Sequence, residues 1–294
     1  MQPIPDSPVV KNLPSYLGAA GEGSAWHEAI AAYHRDEVGA AFELAESLGA
    51  GYGGASLSWY RVMEAEALAR AASRIVEIAP GVRLEAVNPD PLVEPLRASL
   101  DRVVGLAGAR PTVPILVTVM LPEADAPWHQ ARYGYMIPKE GLAKVCLPDW
   151  TTNELDAFGA VARHELMHVA VTEFTGDRAP EWLQEGMAQI AEGRTVPDSV
   201  EPWLSPEDLR RAFHVDRRDP ANQGRNRMAY AQALRLVGHL CTRRDHGCLT
   251  RLMEAFTDNS WLTEIRITLG LTPIDEALQE VYGFDERTLF EQAC

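Results

Sequence analysis

The sequence predicts an α+β fold in which a small β-sheet lies between helical regions. Apolar residues recur every three or four positions in three early segments, which are predicted helices: 26–48, 58–78 and 92–106. Three later segments are rich in apolar and β-branched residues and are predicted strands: 113–121, 132–137 and 142–147. The helical pattern dominates downstream of His164, so the C-terminal half is predicted to be mostly helical.

The first 88 residues are predicted to form a helical N-terminal region. Its two helices are separated by the Gly-rich segment 49–54 and form a predicted αα-hairpin. The hairpin has the length of one tetratricopeptide-like unit, but a single unit does not make a stable solenoid, so a plain helical subdomain is the favoured interpretation. Turn-forming residues between Pro80 and Pro91 indicate a boundary, which divides the chain into a helical region at 1–88 and a second domain at 89–294.

Composition and charge exclude several classes of function. The chain has 42 acidic and 27 basic residues and a formal net charge of -15, so nonspecific nucleic-acid binding is not expected, because phosphate contacts need clustered cations. No apolar run has the length of a membrane span, and residues 1–24 lack the apolar stretch of a signal peptide, which together predict a cytoplasmic protein. The four cysteines form no Cys-x-x-Cys pair, which argues against a structural zinc knuckle.

The sequence His-Glu-Leu-Met-His at 164–168 is the strongest functional signal in the chain. Helical positions four apart lie on one face, so His164 and His168 can offer two imidazole nitrogens to one metal ion. Glu165 falls on the same arc, close enough to take a proton from a water on that metal. This arrangement is typical of zinc hydrolases.

The residues before and around this motif predict the helix that carries it. Thr151 and Glu154 have the spacing of a capping box at a helix N-terminus. An apolar stripe follows at spacings of three and four, formed by Leu155, Phe158, Ala162, Leu166 and Val169. The motif residues lie mostly outside this stripe, so one face of the helix is predicted to enter a core and the other to face a cleft.

Glu185 is the predicted third metal ligand. It lies 17 positions after His168, on a helix that is predicted to start near Pro180 and to end at Gly193. Two His and one Glu, with a fourth position open for water, form a recognised catalytic zinc set, so Zn²⁺ is the predicted cofactor. Four other acidic residues are alternatives for this ligand: Glu173, Asp177, Glu181 and Glu192.

The two segments 164–168 and 181–188 resemble the gluzincin metallopeptidases, in which the third ligand belongs to a Glu-x-x-Ala element, here Glu185 to Ala188. More narrowly, the chain resembles the bacterial peptidase MA-like domains, which carry a Trp-Leu-x-Glu-Gly-x-Ala signature. Three other segments are more loosely similar to that family: 133–135, 228–240 and 274–283. The resemblance covers about residues 90–294 and implies a zincin-like catalytic domain with a zinc peptidase fold.

The predicted reaction is hydrolysis of a peptide bond by a metal-activated water. His164, His168 and Glu185 hold the zinc ion, while Glu165 acts as the general base and returns the proton to the leaving amine. Tyr230 is the predicted donor to the oxyanion, because the resemblance places a tyrosine in this helix, and an ordinary core tyrosine is the equal alternative. Three histidines are further candidates for the donor: His214, His239 and His246.

A peptide or protein is the predicted partner of this site. An edge strand of such a sheet can pair with an extended peptide, and the segment Leu142–Leu147 is predicted to lie near that edge. One alternative is a zinc hydrolase that acts on a small amide or ester. Another is a zinc-binding protein without peptidase activity whose N-terminal helices recruit a partner, although the intact Glu165 argues against it.

Overall fold

The structure is a computed structural model with an α+β fold. It describes residues 25–48, 55–121, 135–139, 141–213, 220–243, 247–256 and 273–294. The chain divides into two compact units, of which the first comprises residues 1–98 and 112–162 and the second residues 99–111 and 163–294. The expected division after residue 88 falls inside the first unit, because strands from both sides of that residue pair in one sheet.

Three helices begin the described part of the first unit: α1 (Ala25–His34), α2 (Val38–Ser47) and α3 (Ala55–Ala72). The single helix expected over 26–48 is two helices, because the chain turns at Asp36, whose φ is 62°. Side chains from all three helices share one apolar cluster, which includes Ile30, Ala41 and Met63. Burial of this cluster holds the three helices together.

The helix expected over 58–78 ends earlier than the sequence indicates. It stops at Ala72, and residues Arg74–Ala79 form strand β1. This strand makes an antiparallel hairpin with β2 (Val82–Ala86) through Gly81, whose φ is 76°. The prediction was wrong because a short apolar run fits a helix or a strand equally well, and pairing with β2 decides between them.

A five-stranded sheet lies in the first unit, with the order β1-β2-β3-β5-β4. Its remaining strands are β3 (Ile115–Met120), β4 (Tyr135–Lys139) and β5 (Leu142–Pro148). The strands β2, β3 and β5 are parallel to one another, whereas β1 and β4 are antiparallel to their neighbours. A 3₁₀ turn (Asp90–Leu92) and helix α4 (Val93–Ala107) connect β2 to β3. All six residues of β3 are buried, as expected for a parallel strand that is covered on both faces.

The segment Leu142–Leu147, which was expected near the edge of the sheet, lies one strand in from the outer strand among those described. β5 pairs with β3 on one side and with β4 on the other, so β1 and β4 are the outer strands among those described. The strand β5 therefore lies between β3 and β4, and β4 is the outer strand. The expected hairpin around Gly141 is confirmed as the β4–β5 pair.

Charged side chains are buried between the helices and the sheet of the first unit. The ammonium of Lys144, on β5, is fully buried and bonds to the carboxylate of Glu66, which also accepts a hydrogen bond from the Tyr33 hydroxyl. Glu85, on β2, is paired with Arg70 at 2.8 Å. Burial is the largest influence on the pKa of Lys144 and lowers it, but the Glu66 carboxylate, together with Cys146 and Glu85, outweighs burial and leaves that pKa above its ordinary value. Each buried charge therefore has an opposite charge beside it, as the low dielectric of a protein interior requires.

Helix α5 (Leu155–Thr175) carries the His-Glu-x-x-His motif. Its expected capping box does not form, because residues 149–153 make a 3₁₀ turn and the Thr151 hydroxyl donates to the carbonyl of Pro148 at 2.6 Å. The apolar stripe is confirmed at Phe158, Ala162, Leu166 and Val169, which are all buried. Its first member, Leu155, is 44% exposed.

The second unit contains helices throughout its later part: α6 (Glu181–Glu192), α7 (Pro206–Phe213), α8 (Pro220–Arg243), α9 (Gly247–Ala255), α10 (Pro273–Tyr282) and α11 (Glu286–Ala293). The expected ends of α6 are confirmed, since Pro180 precedes it and Gly193 ends it with a left-handed φ of 97°. None of the helices in the described ranges combines the length and hydrophobicity that a bilayer span requires.

Helices α6 and α8 pack closely at Gly186. A Cβ atom at this glycine would lie 2.5 Å from the backbone oxygen of Ala233 and 2.4 Å from the Val237 side chain. The side-chain amide of Gln189 then donates to the carbonyl oxygen of Tyr230 at 2.9 Å and ties the two helices together. This contact fixes the position of the α6 residues that face α5.

Candidate metal centre

Three of the predicted site residues converge in the second unit. His164 and His168 lie one turn apart on α5, with ring centroids 5.0 Å apart. Glu185 approaches from α6, and its Oε2 atom lies 3.5 Å from Nε2 of His164 and 3.8 Å from Nε2 of His168. One nitrogen or oxygen from each residue lies within 4.8 Å of the others. The sequence therefore predicted the grouping of these three side chains.

The spacing of these atoms fits a metal ion better than it fits hydrogen bonds. Hydrogen bonds between nitrogen and oxygen are about 2.7–3.2 Å long, which is shorter than either distance from Glu185 to an imidazole. Ligands at about 2.0–2.2 Å from a tetrahedral zinc ion are separated by about 3.4 Å. The Oε2 atom of Glu185 is also buried without a hydrogen-bond partner in the described part of the chain. Two imidazole nitrogens and one such oxygen are a suitable donor set for zinc.

Tyr230 contacts the other oxygen of the same carboxylate. Its hydroxyl, on α8, donates to Oε1 of Glu185 at 3.0 Å. Its ring packs edge-to-face on Phe213, with centroids 5.4 Å apart. Tyr230 therefore holds the Glu185 carboxylate with Oε2 directed toward the imidazoles. Tyr230 was predicted as an oxyanion donor, and that role stays a prediction.

A second carboxylate contacts the far side of the first imidazole. Oε2 of Glu192 lies 3.2 Å from Nδ1 of His164 and accepts a hydrogen bond from Arg194 at 2.7 Å. Arg163 donates to the carbonyl oxygens of Ala191 and Glu192 at 2.9 and 3.0 Å, which anchors the last turn of α6 next to α5. Glu192 was predicted as an alternative ligand, and the structure instead places it against Nδ1, away from the Nε2 atom that faces Glu185.

The remaining alternatives lie outside the cluster. Among the described residues, Glu173, Asp177 and Glu181 do not belong to the group of ligand atoms that lie within 4.8 Å of one another. The Nε2 atom of His239 is within 3.1 Å of Arg243, near the end of α8. His214 and His246 fall outside the described residues.

Glu165 is 4% exposed and lies beside both metal-ligand candidates of its own helix. Burial is the main reason that its pKa is raised to about 7; His164 lowers this pKa, and the negative charges of Glu185 and Glu192 raise it. A general base works best when its pKa is close to the operating pH. The surroundings of Glu165 therefore suit a group that takes up and returns a proton near neutrality.

The two imidazoles differ in their protonation. Burial lowers the pKa of both, and it dominates at His168, whose pKa falls to about 4. At His164 the contacts with Glu185 and Glu192 outweigh burial and raise the pKa to about 10. For Glu185, burial raises the pKa, but the two imidazoles and the Tyr230 hydroxyl outweigh burial and leave the pKa below its ordinary value. The negative charges of Glu185 and Glu192 thus favour a positive charge at His164.

Sequence reasoning missed two supporting residues. Arg163 and Arg194 were not singled out, because an arginine beside a helix end has no distinctive pattern. The role of Glu192 could have been predicted from one feature of the sequence. Glu192 follows Glu185 by seven positions, which is two helical turns, so both lie on the same face of the helix.

Comparison with known proteins adds no assignment, because no family model, no curated protein and no solved structure matches this chain.

Proposed function

We propose that this protein is a zinc-dependent hydrolase that cleaves peptide bonds, with a gluzincin-like, zincin-type catalytic domain. One observation carries the proposal. A buried carboxylate oxygen of Glu185, without a hydrogen-bond partner among the described residues, lies 3.5 and 3.8 Å from two imidazole nitrogens of one helical turn. Glu165, which follows His164 directly, supplies the base that a pure metal scaffold does not need.

The residues that would hold the metal are His164, His168 and Glu185. A zinc ion supplies a Lewis acid that acidifies water and polarises a carbonyl group. Nothing in the donor set disfavours zinc, since two imidazoles and one carboxylate are ligands that it commonly takes.

The protein's own groups perform the proton transfers in this mechanism. Glu165 takes a proton from the attacking water and later delivers it to the departing amine. Tyr230 keeps the Glu185 carboxylate oriented through its hydrogen bond, and Glu192 fixes the ring of His164 through Nδ1. The Tyr230 hydroxyl donates to Glu185 in this structure. It could donate to the oxyanion only if this hydrogen bond broke during the reaction.

The first test separates metal binding from proton transfer. Glu165→Gln keeps the shape of the side chain and removes the base, so we expect an unchanged zinc content and a loss of peptide cleavage of at least about 100-fold. His164→Ala removes a ligand, so we expect zinc to be lost along with activity. Zinc is measured by elemental analysis of the purified proteins, and cleavage is measured by mass spectrometry of a peptide library.

Asp156→Asn is the matched control, because Asp156 is an exposed acid on the same helix. It should match the parent protein in zinc content and in cleavage. Full activity in Glu165→Gln would exclude Glu165 as the base. A parent protein that binds zinc at one equivalent but cleaves no peptide, with or without a chelator, would contradict the peptidase assignment.

A further inference from the structure

A cavity lies in the first unit, and none of the residues assigned to the metal lines it. It has a volume of about 250 Å³ and opens beyond the carboxyl ends of the parallel strands β2, β3 and β5. Its walls come from the segments that follow β2 and β5, including Asn88 and the 3₁₀ turn 149–153. In sheets with parallel strands, ligands commonly bind outside the carboxyl ends of those strands.

The cavity lining combines apolar side chains with one carboxylate. Val87, which is 55% exposed, and Leu121, which is partly buried, supply accessible apolar surface to its lining. Asp149 lines the wall, and within the described part of the chain no side chain or backbone group bonds to its carboxylate. The nearby Thr152 hydroxyl donates to the backbone carbonyl of Asp149 at 2.8 Å and so does not satisfy the carboxylate.

Exposed apolar residues lie in or next to the segments that line the cavity. Five large hydrophobic residues in the described ranges are exposed, and three of them belong to the segments next to the cavity: Val87, Trp150 and Leu155. Val87 also lines the cavity. Exposed apolar surface that gathers around a concave site is typical of ligand binding.

We propose that this cavity binds a small aliphatic amine in its protonated form. The ammonium group donates to the Asp149 carboxylate, and the hydrocarbon chain lies on Val87 and Leu121. The charge of Asp149 selects a cation over a neutral or anionic ligand, because no group among the described residues bonds to this carboxylate. The volume is below the roughly 300–1,000 Å³ of sites for drug-sized ligands, so it selects a short, unbranched molecule. This site is independent of the metal centre and of its proposed reaction.

The test is a titration of the isotope-labelled full chain, followed by backbone amide NMR. Three probes of equal chain length are compared: hexylammonium, hexanol and hexanoate. We expect hexylammonium to cause saturable shifts at residues 86–92 and 149–153, hexanol to bind more weakly, and hexanoate not to saturate. Asp149→Asn should weaken hexylammonium binding about tenfold, the size expected for one hydrogen bond to a charged group, and should leave hexanol binding unchanged.

Glu154→Gln is the matched control, because Glu154 is an exposed acid beside the same turn that does not line the cavity. It removes the same charge and should leave hexylammonium binding within twofold of the parent. The spectrum of each variant also reports whether the fold is intact. The proposal is overturned if hexylammonium causes no saturable shift at these residues, or if the two variants weaken its binding equally.

Discussion

At the scale of single residues, the two imidazoles of the metal centre lie in different surroundings. His164 contacts a carboxylate through each of its ring nitrogens, with Glu185 near Nε2 and Glu192 near Nδ1. His168 contacts Glu185 alone among the acidic residues that are described. The orientation of the His164 ring is therefore fixed from its far side, which is how outer-shell carboxylates support metal-binding histidines.

Glu192→Gln tests this support. We expect zinc affinity to fall by about 10- to 100-fold, because the neutral amide orients the ring less firmly and makes Nε2 a poorer donor. The dissociation constant is measured by competition with a chromophoric chelator. Glu181→Gln, in the first turn of the same helix, is the control and should leave the affinity unchanged. Equal zinc affinity in Glu192→Gln and the parent protein would show that Glu192 has no part in the site.

The sequence predicted the site at this scale because its signals are local. His164, Glu165 and His168 occupy one helical turn, and Glu185 lies on the next helix, so a short stretch of chain fixes most of the geometry. The contact of Tyr230 with Glu185 could not be predicted as such, because it depends on the packing of α8 against α6. A local pattern cannot specify which oxygen of a carboxylate a distant hydroxyl reaches.

At the scale of elements, the close approach of α6 and α8 depends on Gly186, which has no side chain. Gly186→Ala places a methyl group against the Ala233 backbone and the Val237 side chain, so the helices must separate. Overpacking of this kind typically costs about 1–3 kcal/mol of the free energy of unfolding. We expect the urea midpoint to fall accordingly, and zinc affinity to fall with it because Glu185 is the preceding residue.

Gly224→Ala is the comparison for that measurement. Gly224 is an exposed residue of α8 with nothing within 4 Å of an added Cβ atom, so alanine should be neutral or should stabilise the helix by up to about 1 kcal/mol. If the two substitutions shift the urea midpoint equally, close packing at Gly186 does not limit stability.

Element prediction succeeded where periodicity was long and failed where it was short. Helices such as α5 and α6 have strong patterns and clear end signals, with Pro180 and Gly193 at the ends of α6. The short strands β1 and β2 have no pattern that separates them from a helix end, and their partners determine their conformation. The order of the strands could not be predicted either. The strand β5 lies between β3 and β4, and this placement depends on the path of the chain and not on the composition of the strands.

At the scale of the whole molecule, the formal net charge of -15 affects the association rates of charged substrates. A negative protein attracts cationic peptides over long distances, and dissolved salt screens this attraction within about 10 Å at 0.1 M ionic strength. If the chain is a peptidase, we expect kcat/KM for a lysine-flanked peptide to exceed that for its glutamate-flanked counterpart at low salt. The ratio should fall toward one as sodium chloride increases.

A glutamine-flanked peptide with the same scissile bond is the control for general effects of salt on the enzyme. Its kcat/KM should change little over the same range. A lysine-to-glutamate ratio that stays constant with salt would indicate that selectivity comes from direct contacts in the site and not from the overall field.

The buried ion pair of Lys144 and Glu66 limits which substitutions this sequence can tolerate. Loss of Lys144 alone would leave Glu66 as an uncompensated anion in a dry interior, at a cost of about 3–5 kcal/mol. That is a large share of the roughly 5–15 kcal/mol that keeps a typical domain folded. Replacing both residues by apolar ones of similar size avoids the penalty. Positions 66 and 144 are therefore expected to change together, so that a related chain would keep both ionic partners or neither.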